Sequence, residues 1–447
     1  MGSSMCVLEW RYGSEEMRNL FKSDNIVKRF LEVEKALIVS LAKAGIAPER
    51  CIDTISRCSE EVSAEDVYVK ERELGHDIAS LAYILGERCG ECGRYVHLGA
   101  TSYDIVDTAW ALVIGDALSI VLARLKHIIE KIVDMSIKYA DVVMVGRTHG
   151  QHALPITFGF KLANYAYEFS RSYERLCECR KRVVRGKMGG AVGTMAAWGD
   201  KGLVVERYAM EYLGLDPHTI STQVAPRDGF AELVANLAIL ASQLDRFALE
   251  VRELSRPEIG EVYEAVKRIG SSTMPHKRNP VIAERISGLA KVLRGFVSVA
   301  LENIPLMHER DLTNSSSERI LLPHTFLVID QMLMDMERLL TILSIDENAM
   351  KKNLMLLRGA AMSEAVMVKL VEKGMHRHEA HRVLQELSTT MNEGESFLDR
   401  LLRDERISKL FTREELEKIL DYNSYLGCYR ELIERTANYV KNVLTLC

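Results

Sequence analysis

The sequence predicts an all-α protein made of three helical segments, with a bundle of long helices in the middle. Three observations carry this prediction. Apolar residues at Phe230, Leu233, Leu237, Leu240, Leu244, Phe247, Val251 and Leu254 alternate spacings of three and four without a break, the seam of a coiled-coil-like helix. Proline is rare, nine in 447 residues, so long stretches run without a helix breaker. Stretches such as ELVANLAILASQLDRFALEV are apolar on more than one side and need further partners, which homo-oligomerisation through the bundle would supply.

Residues 1–104 read as an N-terminal helical domain of shorter helices, broken at Gly45, Pro48, Gly75, Gly86 and Gly93. Residues 105–345 read as the central bundle. Its helices are expected over 105–139, with Val106, Trp110, Val113, Ala117 and Ile120 as an inner stripe, and over 158–182, 230–254, 281–303 and 322–343. At 1.5 Å per residue the 230–254 helix would be roughly 37 Å long. Residues 346–447 read as a C-terminal domain of shorter helices. The glycine-rich stretch 186–202 follows no strand, so it does not fit a dinucleotide fingerprint and reads as a loop packed close to the bundle.

Composition narrows the function. Apolar residues make up 47% and charged residues 27%, an ordinary globular balance, and the net charge is −5. No broad cationic excess exists to neutralise a nucleic acid, so any anionic substrate must be held by local clusters of Arg, Lys and His. No run is expected to reach the apolar length of a membrane span, and no basic-then-apolar signal opens the chain, so a cytoplasmic location is expected. The nine cysteines are Cys6, Cys51, Cys58, Cys89, Cys92, Cys177, Cys179, Cys428 and Cys447. A zinc site would need the Cys89/Cys92 and Cys177/Cys179 pairs to converge, and the bland reading is unligated thiols. Scarce glutamine with abundant cysteine points towards a thermophile with intracellular disulfides, while nineteen methionines point the other way.

Six polar islands interrupt the helical pattern. Arg11-Tyr12 follows a short LEW segment. Gly75-His76-Asp77 precedes a helix that Asp77 would cap. HLGATSYDIVDTA, 97–109, places Thr101 and Ser102 just before a long helix, where hydroxyls and free N–H groups can hold a carboxylate. GRTHGQHALP, 146–155, contains Thr148 and His149. GSSTMPHKRNP, 270–280, combines three small hydroxyls with His276, Lys277, Arg278 and Asn279 between two prolines, a loop able to close over an anion. HERDLTNSSSER, 308–319, flanks three serines with Arg310 and Arg319. HRHEAH, 376–381, is one residue short of the H-E-x-x-H metal motif and reads as a solvated helix face.

In this order, TSYDIVDTA, RTHGQ, GSSTMPHKRNP and HERDLTNSSSER resemble the adenylosuccinate lyases of the fumarase/aspartase superfamily, over nearly the whole chain. Carboxymuconate cycloisomerases share the 270–280 loop almost unchanged. They usually lack the histidine of RTHGQ and the serine-rich segment that resembles a nucleotide-phosphate site. Another fumarate-releasing lyase or such a cycloisomerase is the alternative. Tyr103 inside TSYD and Thr273 inside GSSTMP are modest departures from the pattern.

The resemblance implies β-elimination of fumarate from adenylosuccinate and from SAICAR, with no metal or organic cofactor. It implies Ser272 as base and His149 as acid, with Glu284 pairing with the histidine to orient and charge it. Lys277 and Asn279 would hold the succinyl carboxylate and its developing charge, helped by Thr101 and Ser102, with His76 in binding or proton-transfer support. Asp77, Thr148 and Gln223 would touch the substrate, and Arg11, Tyr12, His97, Arg310, Ser315 and Arg319 the phosphate and ribose. A homotetramer is implied, each site drawing on several subunits, with no nucleic-acid or membrane partner.

Overall fold

The computed structural model describes residues 6–265, 274, 276–392 and 394–447. It is helical almost throughout, as the periodicity predicts. Short helices open it: α1 (Glu15–Leu20), α2 (Ser23–Lys43), α3 (Arg50–Glu60), α4 (Ala64–Leu74) and α5 (Asp77–Arg88). Val27, Leu31, Leu37 and Leu41 of α2 pack with Ile55, Val67, Ile78 and Leu81 in one apolar core. The chain returns to this core much later. Met188 and Trp198, together with Val205, Ala209 and Met210 of α8 (Gly202–Leu213), complete it, and α8 lies along α2. The glycine-rich stretch is thus a packed loop, and it joins the bundle to the N-terminal core.

The bundle consists of α6 (Ser102–Lys138), α7 (Phe158–Val183), α9 (Asp228–Leu254), α10 (Val281–Glu302) and α11 (Thr313–Ile342). All eight seam residues of α9 are buried, and Tyr165 meets Phe247 edge-on at 5.0 Å. Ile239, Leu249, Val292 and Val299 of α9 and α10 remain exposed. Contrary to expectation, one helix among the described residues, α6, is long and apolar enough to cross a membrane. Its apolar window is 67% buried by its neighbours, which makes it the core helix of the bundle. The last bundle helix starts earlier than predicted: residues 313–319 of the serine-rich island form its first turns, and Pro323 sits inside it. Proline rules out only one intrahelical donor, and a buried face with Leu321, Leu322 and Phe326 holds the helix through that gap.

Among the described residues three two-stranded sheets decorate the helices: β1 (Val143–Thr148) with β2 (Gln151–Thr157), β3 (Arg185–Gly186) with β4 (Asp216–Pro217), and β5 (Val262–Glu264) with β6 (Leu343–Ile345). After α12 (Glu347–Leu354) come α13 (Ser363–Glu372), α14 (Arg377–Thr389), α15 (Phe397–Arg403), α16 (Glu405–Ser408) and α17 (Arg413–Ile419). They share a third core around Leu370, Val383, Phe397 and Leu416. His378 and His381 are exposed on α14, the solvated face read from the sequence. Helix α18 (Tyr429–Val443) then runs back along α7.

The cysteines correct the reading of unligated thiols. Cys51 pairs with Cys92 and Cys58 with Cys89, tying α3 to the end of α5, and Cys177 of α7 pairs with Cys447. Folding brings each pair within 6 Å between Cα atoms, a convergence that sequence spacing does not reveal.

Candidate active site

Three of the polar islands meet around the starts of α5, α6 and α11, together with the segment that carries Gln223. The imidazole of His76, rather than the carboxylate of Asp77, caps α5, accepting the Ala79 N–H at 3.4 Å. Asp77 is thereby free for Arg319 of α11, whose Nη2 donates to it at 2.5 Å. His97 adopts a left-handed backbone, φ 57°, that turns its ring and its N–H onto one buried carboxylate. Its Nδ1 lies 2.6 Å from Glu34 Oε1, and its N–H donates to Oε2 at 3.1 Å. Burial alone would lower the His97 pKa, but the hydrogen bond and charge of Glu34, with Asp104 further off, raise it.

Asp104 fixes the turn that presents Thr101 and Ser102. Its carboxylate accepts from Thr101 N–H at 2.8 Å, Gly189 N–H at 2.7 Å, Gly190 N–H at 3.0 Å and the buried Lys187 Nζ at 2.5 Å. The N–H groups at the start of α6 then stand beside two hydroxyls, an arrangement suited to an anion. One turn on, Asp107 takes both Nη atoms of buried Arg227, at 2.9 and 2.8 Å, and the Ala225 N–H at 2.8 Å. Arg227 also pairs with Glu318 of α11 at 2.8 Å. Burial lifts the Glu318 carboxyl to about 7, against the pull of the Arg227 charge.

This buried cluster anchors the segment carrying Gln223, whose Oε1 accepts from Arg310 Nη1 at 3.2 Å. The Arg310 guanidinium lies 3.7 Å from the centroid of the Tyr103 ring. Its Nε and Nη2 are shielded and, among the described residues, without a hydrogen-bond partner. Ser315, also buried, interacts with the Tyr103 hydroxyl.

A second group forms where α10 begins. Gly13, at φ 79°, lies so close to α11 that a Cβ there would stand 2.8 Å from Leu327 Cδ2. Its N–H donates to Gln331 and that of Ser14 to Asp330, which sets the exposed Arg11 and half-buried Tyr12 beside the bundle. Arg285 of α10, paired with Asp335 of α11, lies within electrostatic reach of both Tyr12 and Glu264. Glu264 in turn accepts the Ile282 and Ala283 N–H groups at 2.9 and 3.0 Å and so caps α10. Lys277 and Glu284 are exposed here and Asn279 is half-buried. Ser272 lies outside the described residues.

Thr148 and His149 stand apart. The RTHGQ island is a β-hairpin turn: Thr148 pairs with Gln151, and His149 and Gly150 between them have φ of 55° and 72°, as a two-residue type I′ loop requires. Arg147 anchors the root through a bidentate pair with buried Glu261, at 2.9 and 2.7 Å. The tip is exposed, and among the described residues no hydrogen bond or ion pair joins His149 to Glu284 within the chain. One chain therefore gathers His76, Asp77, Arg310, Ser315, Arg319 and Gln223 into one region but leaves His149 out of it.

Sequence reading missed the supports of this site: Glu34, Lys187, Arg227 and Glu318. A signal existed for Glu34, a charge on the apolar stripe of α2 between Val33 and Ala36. Glu318 lies inside the serine-rich island already singled out, but its pairing with Arg227 is a product of folding.

A bundle of long helices with polar loops gathered at the helix ends defines the class, and residues 11–295 match the family described as lyase. Residues 359–436 match the C-terminal segment described for adenylosuccinate lyase. The chain is 46% identical to the adenylosuccinate lyase of Pyrococcus abyssi over 98% of both chains, and 45% identical to that of Pyrococcus horikoshii over the same shares. Among solved structures it resembles the 3-carboxy-cis,cis-muconate lactonizing enzyme from Pseudomonas putida, with a TM-score of 0.90 and 30% identity over 98% of this chain and 100% of that one. The chain belongs to the adenylosuccinate lyase family of carbon–nitrogen lyases.

Proposed function

We propose that the site eliminates fumarate from adenylosuccinate, leaving AMP, and from SAICAR, leaving AICAR. One observation carries the nucleotide reading beyond family membership: Arg310 holds two shielded, unpartnered guanidinium nitrogens beside Ser315 and Gln223. A desolvated donor fork of this kind fits a phosphate. Arg319, His97, Arg11 and Tyr12 would complete contacts to phosphate and ribose, with Asp77, Thr148 and Gln223 also touching substrate.

In this reading Ser272 takes the proton from the carbon beside a succinyl carboxylate. Lys277 and Asn279, with Thr101 and Ser102, stabilise the aci-carboxylate, the C–N bond breaks, and His149 protonates the departing nitrogen. Glu284 orients His149, and His76 supports binding or proton transfer. The exposed hairpin tip supports His149 acting in a site completed by a neighbouring subunit of a cytoplasmic homotetramer. No step calls for a metal or organic cofactor, so EDTA should leave the rate unchanged.

Ultraviolet absorbance of the protein with adenylosuccinate tests the reading, beside a Ser272→Ala control. Rapid substrate loss with the wild type and almost none with the variant is expected. Equal loss in both would remove Ser272 from its role. No loss in either, with the assembly intact, would turn the reading towards a cycloisomerase substrate.

A further inference from the structure

Tyr103 occupies the one position of TSYD that the motif leaves without a function, yet it is 7% exposed and at the centre of the phosphate-side residues. Its ring carries the Arg310 guanidinium at 3.7 Å, and Arg227 lies 5.5 Å from the same centroid. The two cations are not equivalent. Arg227 is neutralised by Asp107 and Glu318, at 2.8 Å each. Among the described residues Arg310 has only the neutral Gln223 amide as a hydrogen-bond partner, with Nε and Nη2 shielded from water.

A half-buried guanidinium with two nitrogens shielded from water, and with only the Asp311 carboxylate near it as counter-charge among the described residues, is costly to hold in place, and the electron-rich face of an aromatic ring is the group here that offsets this cost without using up a donor. A carboxylate would neutralise the charge and occupy the N–H groups that an incoming anion needs. We propose that Tyr103 is a positioning residue for the reaction: its ring face keeps Arg310 oriented and unneutralised, with two donors open for the phosphate of the nucleotide. This rests on the reading of Arg310 as a phosphate donor given above. Tyr103 itself touches no reacting atom.

The assembled enzyme and its Tyr103→Phe, Tyr103→Met and Arg310→Met variants test this, with the affinities of AMP and of fumarate measured separately by calorimetry and steady-state rates alongside. Tyr103→Phe keeps the ring and should stay within about threefold of wild type. Tyr103→Met should weaken AMP and raise KM by about tenfold, the scale of a desolvated cation–π contact, with kcat and fumarate affinity little changed. In the Arg310→Met background the same change should add almost nothing. Tyr103→Leu serves if the Met variant does not fold.

A folded Tyr103→Met enzyme that binds AMP normally, beside an Arg310→Met enzyme that does not, overturns the proposal alone. So does a Phe variant as weak as the Met variant, which would place the effect in the hydroxyl. An effect undiminished in the Arg310→Met background would also overturn it. Normal AMP binding by Arg310→Met would remove the phosphate role of Arg310, and the proposal with it.

Discussion

Arg319 on α11 and Asp77 at the start of α5 form an ion pair at 2.5 Å, although 242 residues separate them in the chain. The pair joins the N-terminal helices to the serine-rich end of the bundle at the point where His76 caps α5. Arg319 is 61% exposed, so the pair adds little to stability, about 1 kcal/mol at most. In the proposed function its value lies in presenting a cation beside Ser315. Arg319→Met should therefore lower kcat/KM roughly 10- to 100-fold, the scale of a lost hydrogen bond to a charged group, while Tm moves by only a degree or two. Thermal melts beside steady-state kinetics check this, and a large loss of Tm would show the pair to be a structural clamp.

If His97 contacts the nucleotide as proposed, the Glu34–His97 pair makes that side of the site sensitive to pH. Folded His97 keeps its proton above the ordinary imidazole value of about 6.5, so the folded state binds more protons than the unfolded one above that pH. The stability contributed by the pair is complete below about 6.5 and is lost as pH rises through the raised value. Tm should fall across that window, and AMP affinity with it as the imidazolium discharges. Glu34→Gln should move both declines to lower pH. Calorimetric titration of AMP from pH 6 to 9 is the check, and an unshifted profile in Glu34→Gln would remove Glu34 from this role.

Much of this was legible in the sequence because it is periodic or local. The three–four seam of α9 and the hydroxyls before α6 both depend on residues within a few positions of one another. The β-hairpin around His149 was not foreseen, since its turn is defined by two positive φ values rather than by an alternating apolar run. Nor were the disulfides or the Asp107–Arg227–Glu318 cluster, whose members lie 31 to 270 residues apart and are matched only by folding. The island at 308–319 hid a helix start because its polar residues line a site instead of a core.

The disulfide between Cys177 and Cys447 closes a separation of 270 residues and fastens the segment after α18 to α7. Long closed loops restrict the unfolded chain most, and such a bond contributes about 2–5 kcal/mol in the chain-entropy model. Cys447→Ser should lower Tm by about 2–6 °C, with kcat unchanged because the bond is remote from Arg310 and Tyr103. A melt in the presence of a thiol reductant should fall further, as Cys51–Cys92 and Cys58–Cys89 also open. Equal melts of reduced and oxidised protein would contradict this.

His149 and the residues around Arg310 do not meet within one chain, and this separation has a direct consequence. The hairpin is stiff at its root, where Arg147 holds Glu261, and Glu261 also accepts from Asn353, so the tip is displayed rather than loose. A rigid tip ending in an exposed imidazole suits insertion into a neighbouring subunit. If His149 and Ser272 serve a shared site from different chains, His149→Ala and Ser272→Ala proteins are each inactive alone. Mixed under conditions that allow subunit exchange, they form hybrid tetramers in which some sites receive neither lesion. Activity should then recover to a substantial fraction of wild type, rising with the extent of exchange followed by native mass spectrometry. Hybrids that form fully yet stay inactive would place His149 and Ser272 in the same chain's site, and the separation of the hairpin from α11 would need another cause.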